Sequence, residues 1–174
     1  MIKRLFLVLF IILSGCKSKK ELVSHKPKTT TKTTKTSKPT YRKGNYESVA
    51  TDIVDYAMEF DGVKYKYGGT TKKGMDCSGL VVTTYKKFDI PLPRTTKDLS
   101  KTGDWIDLKA VQPGDLLFFA TRKNSRTINH VGIVTHSSVG SVEFIHASSS
   151  NGVMISKLSE RYWYFAFVQA RRVL

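Results

Sequence analysis

Residues 74–79 read Gly74-Met75-Asp76-Cys77-Ser78-Gly79, and the residues that follow decide what the stretch is for. Leu80, Val81, Tyr85 and Phe88 fall on one side of a helix that Cys77 opens. The stretch is therefore a glycine-bearing loop that delivers a cysteine to a helix start. A thiolate is the nucleophilic form of cysteine, and the dipole and free N–H groups of a helix start lower a cysteine's pKa. The same N–H groups are donors for an oxyanion formed on attack. A lone cysteine commonly serves as a small buried apolar residue, but polar Asp76 and Ser78 flank this one ahead of the apolar stripe. Cys77 is the candidate nucleophile.

A cysteine nucleophile needs a base, and three histidines follow it. His130 opens His130-Val131-Gly132-Ile133-Val134, a strand pattern just after a polar loop. His146 lies in Phe144-Ile145-His146-Ala147-Ser148, where an antiparallel neighbour would set it beside His130 to orient the base. His136 ends the first strand, six residues beyond His130. Spacing favours His130 as the base and leaves His146 and His136 as rivals for the third role. Cysteine and histidine also bind metals. Here the Cys77-to-histidine separations of 53, 59 and 69 residues contain no short-range ligand pair. No metal site and no cofactor is expected.

Outward from this stretch, Asn45 is placed to cap a helix. Val49, Ala50, Ile53, Val54, Ala57 and Met58 then recur at helical spacing to about Phe60. Residues 70–75 read as a polar loop, and 95–101 as a short helix after Pro91-Leu92-Pro93-Arg94. Pro113-Gly114 marks a turn. Residues 115–120, 131–135, 142–147 and the aromatic-rich 162–168 read as strands. Helices first and an antiparallel sheet after them predict an α+β domain of two packed layers over 45–174.

The 174-residue chain has a formal net charge of +15, unevenly placed. Residues 1–46 hold twelve Lys/Arg against Glu21 alone, so the remainder carries only +4. A nucleic-acid domain clusters charge on a folded face with motif support. None is visible, and no nucleic-acid partner is expected. Lys3 and Arg4 precede nine apolar residues, 5–13, too few to span a bilayer but fitting for a signal peptide over 1–15. Leu13-Ser14-Gly15-Cys16 resembles a bacterial lipobox, which implies a diacylglycerol-linked Cys16 and a membrane anchor. That assignment removes Cys16 as a disulfide partner for Cys77. Lys/Thr/Ser/Pro-rich residues 16–44 are expected to be a disordered tether.

Seven stretches in order carry a resemblance over about residues 47–174. Tyr65-Lys66-Tyr67-Gly68-Gly69, Asp76-Cys77-Ser78-Gly79, Pro91-Leu92-Pro93-Arg94-Thr95-Thr96, Pro113-Gly114-Asp115-Leu116 and His130-Val131-Gly132-Ile133 are similar to those of NlpC-type papain-like peptidases. Ile145-His146-Ala147-Ser148-Ser149-Ser150-Asn151-Gly152-Val153 and the Ala170-Arg171-Arg172-Val173-Leu174 ending resemble the Spr-like murein endopeptidase lipoproteins.

The resemblance implies a papain-like α+β fold, with N-terminal helices packed on an antiparallel sheet. It implies Cys77 as nucleophile, His130 as base and His146 as its orienting partner, with the Tyr65 hydroxyl near the oxyanion. Asp76 and Ser78 match cleft residues and Arg94 an arginine beside them; each is alternatively a cap or a loop tie. The implied substrate is the peptidoglycan stem peptide, cut at the D-γ-glutamyl–diamino acid bond or at a cross-bridge between diamino acids. A monomer at the cell envelope is expected. Lys17 after the lipidated cysteine favours the outer membrane by resemblance to the enterobacterial sorting pattern. An amidase or acyltransferase on the same scaffold, or a non-catalytic wall-binding lipoprotein, are the alternatives. The sequence departs from the group in the long basic loop containing Thr121-Arg122-Lys123-Asn124-Ser125-Arg126, which bears on bond specificity.

Overall fold

Helix α1 (Lys43–Met58) forms where apolar residues recur every three or four positions, and Ala50, Ile53 and Ala57 on that stripe are buried. It begins two residues ahead of the expected cap, Asn45. The structure is a computed structural model that describes residues 43–174, with side chains from Tyr46 onward. The signal segment, Cys16 and the tether as far as residue 42 lie outside the described residues.

Part of the stretch expected as a polar loop pairs as a short hairpin, β1 (Thr70–Thr71) with β2 (Gly74–Met75). It leads into α2 (Cys77–Lys86), the helix predicted from Cys77 onward. The short α3 (Thr96–Leu99) is capped by Thr95, whose hydroxyl accepts the Asp98 N–H. Strands then follow as β3 (Asp104–Ile106), β4 (Leu116–Phe119), β5 (His130–Ser138), β6 (Ser141–Ser148) and β7 (Gly152–Lys157). A last helix, α4 (Arg161–Ala166), precedes β8 (Phe167–Arg172). The six longer-range strands form one antiparallel sheet ordered β3-β8-β4-β5-β6-β7. This is the α+β class that the order of elements predicts.

All four residues of β4 are buried, because both faces of the sheet are covered. Leu116 and Phe118 join Ile53, Leu80, Val81 and Tyr85 from the first two helices in one core. Leu117 and Phe119 join Phe144, Trp163 and Ala166 in a second core on the opposite face. Each large side chain so enclosed contributes on the order of 1.5–3 kcal/mol. The ion pair of Arg172 with the buried Asp115, 2.7 Å from each of two guanidinium nitrogens, ties the end of β8 to the entrance of β4.

The second core corrects one expectation. Residues 162–168 read as a strand from their aromatic content, yet 161–166 are helical. Trp163 and Ala166 are buried while Tyr162, Tyr164 and Phe165 are exposed. A buried pair three residues apart fits a helix and not the period of two in a strand.

Candidate active site

Asp76 caps α2 and builds the turn that carries Cys77. Its Oδ1 accepts the Gly79 N–H at 2.6 Å, and its Oδ2 accepts the Gly68 N–H at 2.7 Å and an Arg94 N–H at 2.8 Å. The other terminal nitrogen of Arg94 donates to Ser78 Oγ at 2.7 Å, and Ser78 reaches back to Asp76 at 3.3 Å. Burial pushes the Asp76 carboxyl up, but Arg94 and the two backbone N–H groups outweigh it and hold the group below its ordinary value. Asp76, Ser78 and Arg94 thus form a closed clamp around the helix start. Gly79 packs so closely on the Gly69 carbonyl that a Cβ there would collide with its oxygen.

Cys77 is a free, half-buried thiol. Its Sγ lies 3.6 Å from Thr96 Oγ1. The backbone N–H groups of Val131 and Ser78 also bond to it. Burial nonetheless pushes the thiol up, more than Thr96, Val131 and Ser78 pull it down, and the Asp76 charge adds to the rise. The helix start alone predicts the reverse; here desolvation wins. This balance favours the neutral thiol.

His130 opens β5 and His146 sits in β6, on the same face of the sheet as Trp163. His130 Nε2 is 3.0 Å from His146 Nδ1, and His146 Nε2 is 3.1 Å from the buried Ser156 Oγ on β7. The Trp163 ring stacks on His130 at 5.5 Å between centroids and meets His146 edge-on at 4.6 Å. This enclosure favours neutral rings: burial and then the charge on His146 push His130 down to about 3, and burial pushes His146 down to about 4. A Cβ on Gly132 would come within 2.6 Å of the Phe144 ring and 3.2 Å of His146 Cβ. Glycine there lets the His146 strand close in. The rival His136 lies beyond a register shift between Val134 and His136, and its exposed side chain reaches Ser138 Oγ at 3.3 Å.

Cys77 lies between two cavities. One, of about 430 Å³, is lined by Tyr65, Cys77, Asn129, His130, His146 and Tyr162 among others. The second, of about 390 Å³, is lined by Tyr65, Cys77, Asp76, Ser78, Arg94 and Thr96 among others. The structure therefore gathers Cys77, His130, His146, Tyr65, Asp76, Ser78 and Arg94 around one cleft, and Cys16 lies outside the described residues. The sequence reading singled out neither Ser156 nor Trp163, nor Thr96 and Asn129 on the cleft walls. Among the described residues, no group of three or more His, Cys, Asp or Glu is placed to hold a metal ion. No described helix is long and apolar enough to cross a membrane.

The sequence profile of the NlpC/P60 family matches residues 62–172. The chain is 38% identical over 170 residues to the probable endopeptidase NlpC of Escherichia coli K12, covering 97% of each chain. It is 34% identical over 171 residues to the murein DD-endopeptidase MepS/murein LD-carboxypeptidase of the same strain, covering 94% of this chain and 87% of that one. Among solved structures, an NlpC/P60 family protein from Bacillus cereus superposes with a TM-score of 0.65 at 32% identity. That match covers 72% of this chain, which spans 40% of the length of the Bacillus protein.

Proposed function

The chain belongs to the NlpC/P60 family, and on that footing we propose that it is a cysteine-type endopeptidase that hydrolyses peptide bonds of peptidoglycan stems or cross-bridges. The observation that carries the reading is the line Ser156–His146–His130 ending at the cavity that Cys77 shares. Relatives named for murein endopeptidase activity support the substrate class.

The reaction starts from neutral groups. With Ser156 Oγ accepting from His146 Nε2–H, His146 Nδ1 accepts from His130 Nε2–H, and His130 Nδ1 is left with a lone pair. As Cys77 Sγ bonds to the scissile carbonyl carbon, its proton passes to that nitrogen. The carbonyl oxygen becomes an oxyanion, met by the Cys77 backbone N–H and the Tyr65 hydroxyl. The imidazolium, steadied by His146, protonates the leaving amine as the C–N bond breaks, giving a thioester and a free amine. Water then gives its proton to His130 and attacks the thioester, and Cys77 leaves as a thiol. Asp76, Ser78 and Arg94 act by holding the turn. Neutral Cys77 and His130 agree with this order of events, because the charges arise only in the transition state.

In the same reading, residues 1–15 are a signal peptide and Cys16 carries the lipid. Residues 16–44 then tether the 45–174 catalytic domain, a monomer, to the outer membrane. Digestion of muropeptides by the purified full chain, read by mass spectrometry, tests the activity and identifies the bond cut. Equal turnover by Cys77→Ala would sink the proposal. Products bearing a transferred acyl group, without free stem fragments, would favour an acyltransferase.

A further inference from the structure

Beyond the cleft rim lies a shallow hollow of about 820 Å³ between the 121–126 loop and α4. Arg122, Lys123, Arg126 and Arg161 line it together with Tyr162 and Phe165, and no carboxylate does. The two aromatic side chains are 57% and 66% exposed, which is high for large apolar rings. Arg122, Lys123 and Arg161 make no ion pair among the described residues, and Arg126 only reaches the Phe165 carbonyl at 3.4 Å. Glu160, the acid next to this helix, is turned to the Lys157 N–H at 2.6 Å and does not line the hollow.

The loop is tied where it meets the cleft. Asn129 Oδ1 accepts the Thr121 N–H and its Nδ2 donates to Thr121 Oγ1, both at 2.8 Å. Thr121 and Tyr162 line both the hollow and the cavity that holds Cys77 and His130. A chain that leaves the cavity past Tyr162 enters the hollow with no gap to cross.

Resting on the endopeptidase reading, we infer that this hollow is a subsite for the carboxylate groups of an acidic peptide continuing beyond the cleaved bond, the second stem of a cross-linked substrate. Three guanidinium groups offer planar, forked donors that fit carboxylates. Exposed Tyr162 and Phe165 supply apolar faces for the carbons between those groups. Individual exposed charge pairs are weak, so the subsite acts as a sum over several cations and selects the longer, doubly acidic substrate. An isolated stem, filling the cleft alone, gains nothing from it.

The test separates binding from turnover. Full-length Cys77→Ala protein is titrated with a cross-linked dimeric muropeptide, and with the same dimer whose distal-stem carboxylates are amidated. The free carboxylate form is expected to bind about tenfold tighter, a gain that added salt erodes. Adding Arg122→Gln, Lys123→Gln and Arg161→Gln should bring the two affinities together while the melting temperature holds. Equal binding of the two dimers by the parent, or a preference that survives in the charge variant, would overturn the subsite; so would failure to bind either dimer. If the carboxylate preference holds but the wild-type chain cleaves neither dimer, the subsite stands and the endopeptidase reading falls.

Discussion

His146 Nδ1 lies 3.0 Å from His130 Nε2, so one nitrogen of each ring is committed to the other. The direction of that hydrogen bond decides whether His130 presents a lone pair or an N–H at its remaining nitrogen, and only a lone pair can accept the thiol proton. His146 cannot choose by itself, since a neutral imidazole has one donor and one acceptor. Its second nitrogen faces Ser156 Oγ at 3.1 Å, which makes the serine the far end of a line of proton positions.

Ser156→Ala removes that end and takes one hydroxyl from the wall of the cavity that Cys77 shares. On the proposed reading, in which the hydroxyl accepts from His146 Nε2–H, its loss leaves that N–H without its acceptor, and His130 then spends part of its time with the wrong nitrogen protonated. The expected result is a kcat lower by roughly tenfold with KM unchanged, less than the loss from a missing triad member. Ser156→Thr, which keeps the hydroxyl, should recover most of it. A Ser156→Ala enzyme with wild-type kcat at every pH would remove the serine from the line.

The depressed imidazoles have a consequence for stability. An unfolded histidine takes a proton near 6.5, whereas His130 and His146 resist protonation to about 3 and about 4 in the fold. The unfolded chain therefore binds more protons between those values. The stabilising contribution is complete above pH 6.5 and drains away as the pH falls towards 4, at about 1.4 kcal/mol per pH unit for each neutral ring. Thermal unfolding from pH 7.5 to 4 should show this slope, and His146→Gln should flatten part of it. The acid limb of kcat/KM should lie below 6.5. A limb centred at 6.5 with an unchanging melting temperature would contradict the enclosure.

Arg94→Ala breaks the clamp around Cys77. Asp76 keeps its bonds from Gly68 and Gly79 but loses the guanidinium, and Ser78 Oγ loses its donor. The Arg94 side chain is 39% exposed, so water replaces part of what is lost. A stability loss of about 1–3 kcal/mol is expected by denaturant titration, with kcat reduced and KM little changed. Arg94→Lys should fall between, because an ammonium lacks the fork that reaches both partners. A KM increase without loss of stability would mean that Arg94 touches substrate and does not tie the turn.

The helix from Cys77 was legible because its cap, Asp76, and its apolar stripe are adjacent in sequence. The approach of His130 to His146 was legible as neighbouring antiparallel strands, although spacing alone did not separate His146 from His136. The register shift that sends His136 outward is one inserted residue, with no marker in the local pattern. Trp163 was hidden differently. Aromatic content argued for a strand, and the helical signal rested on one buried pair, Trp163 and Ala166, in six residues. Ser156 lies on a strand the reading did not find, so nothing connected it to a histidine ten residues earlier. The rise in the Cys77 pKa was illegible for a more general reason: a helix start acts locally, whereas desolvation depends on everything packed around the sulfur.

Tyr65 supplies the last prediction. Its backbone is held beside the Cys77 turn, with the Lys66 N–H donating to the Met75 carbonyl and the Met75 N–H to the Lys64 carbonyl, both at 3.1 Å. Its side chain lines both cavities that Cys77 lines. Burial and then the neighbouring Cys77 push the phenol up from its ordinary value, so it remains a protonated donor throughout the working range. On the proposed reading this hydroxyl meets the developing oxyanion, and such a donor acts on kcat and leaves ground-state binding nearly untouched. Tyr65→Phe should therefore lower kcat by about tenfold to a hundredfold, with KM within a factor of about two and no change in melting temperature. A raised KM with kcat intact would make the hydroxyl a substrate contact and leave the oxyanion to the Cys77 N–H alone.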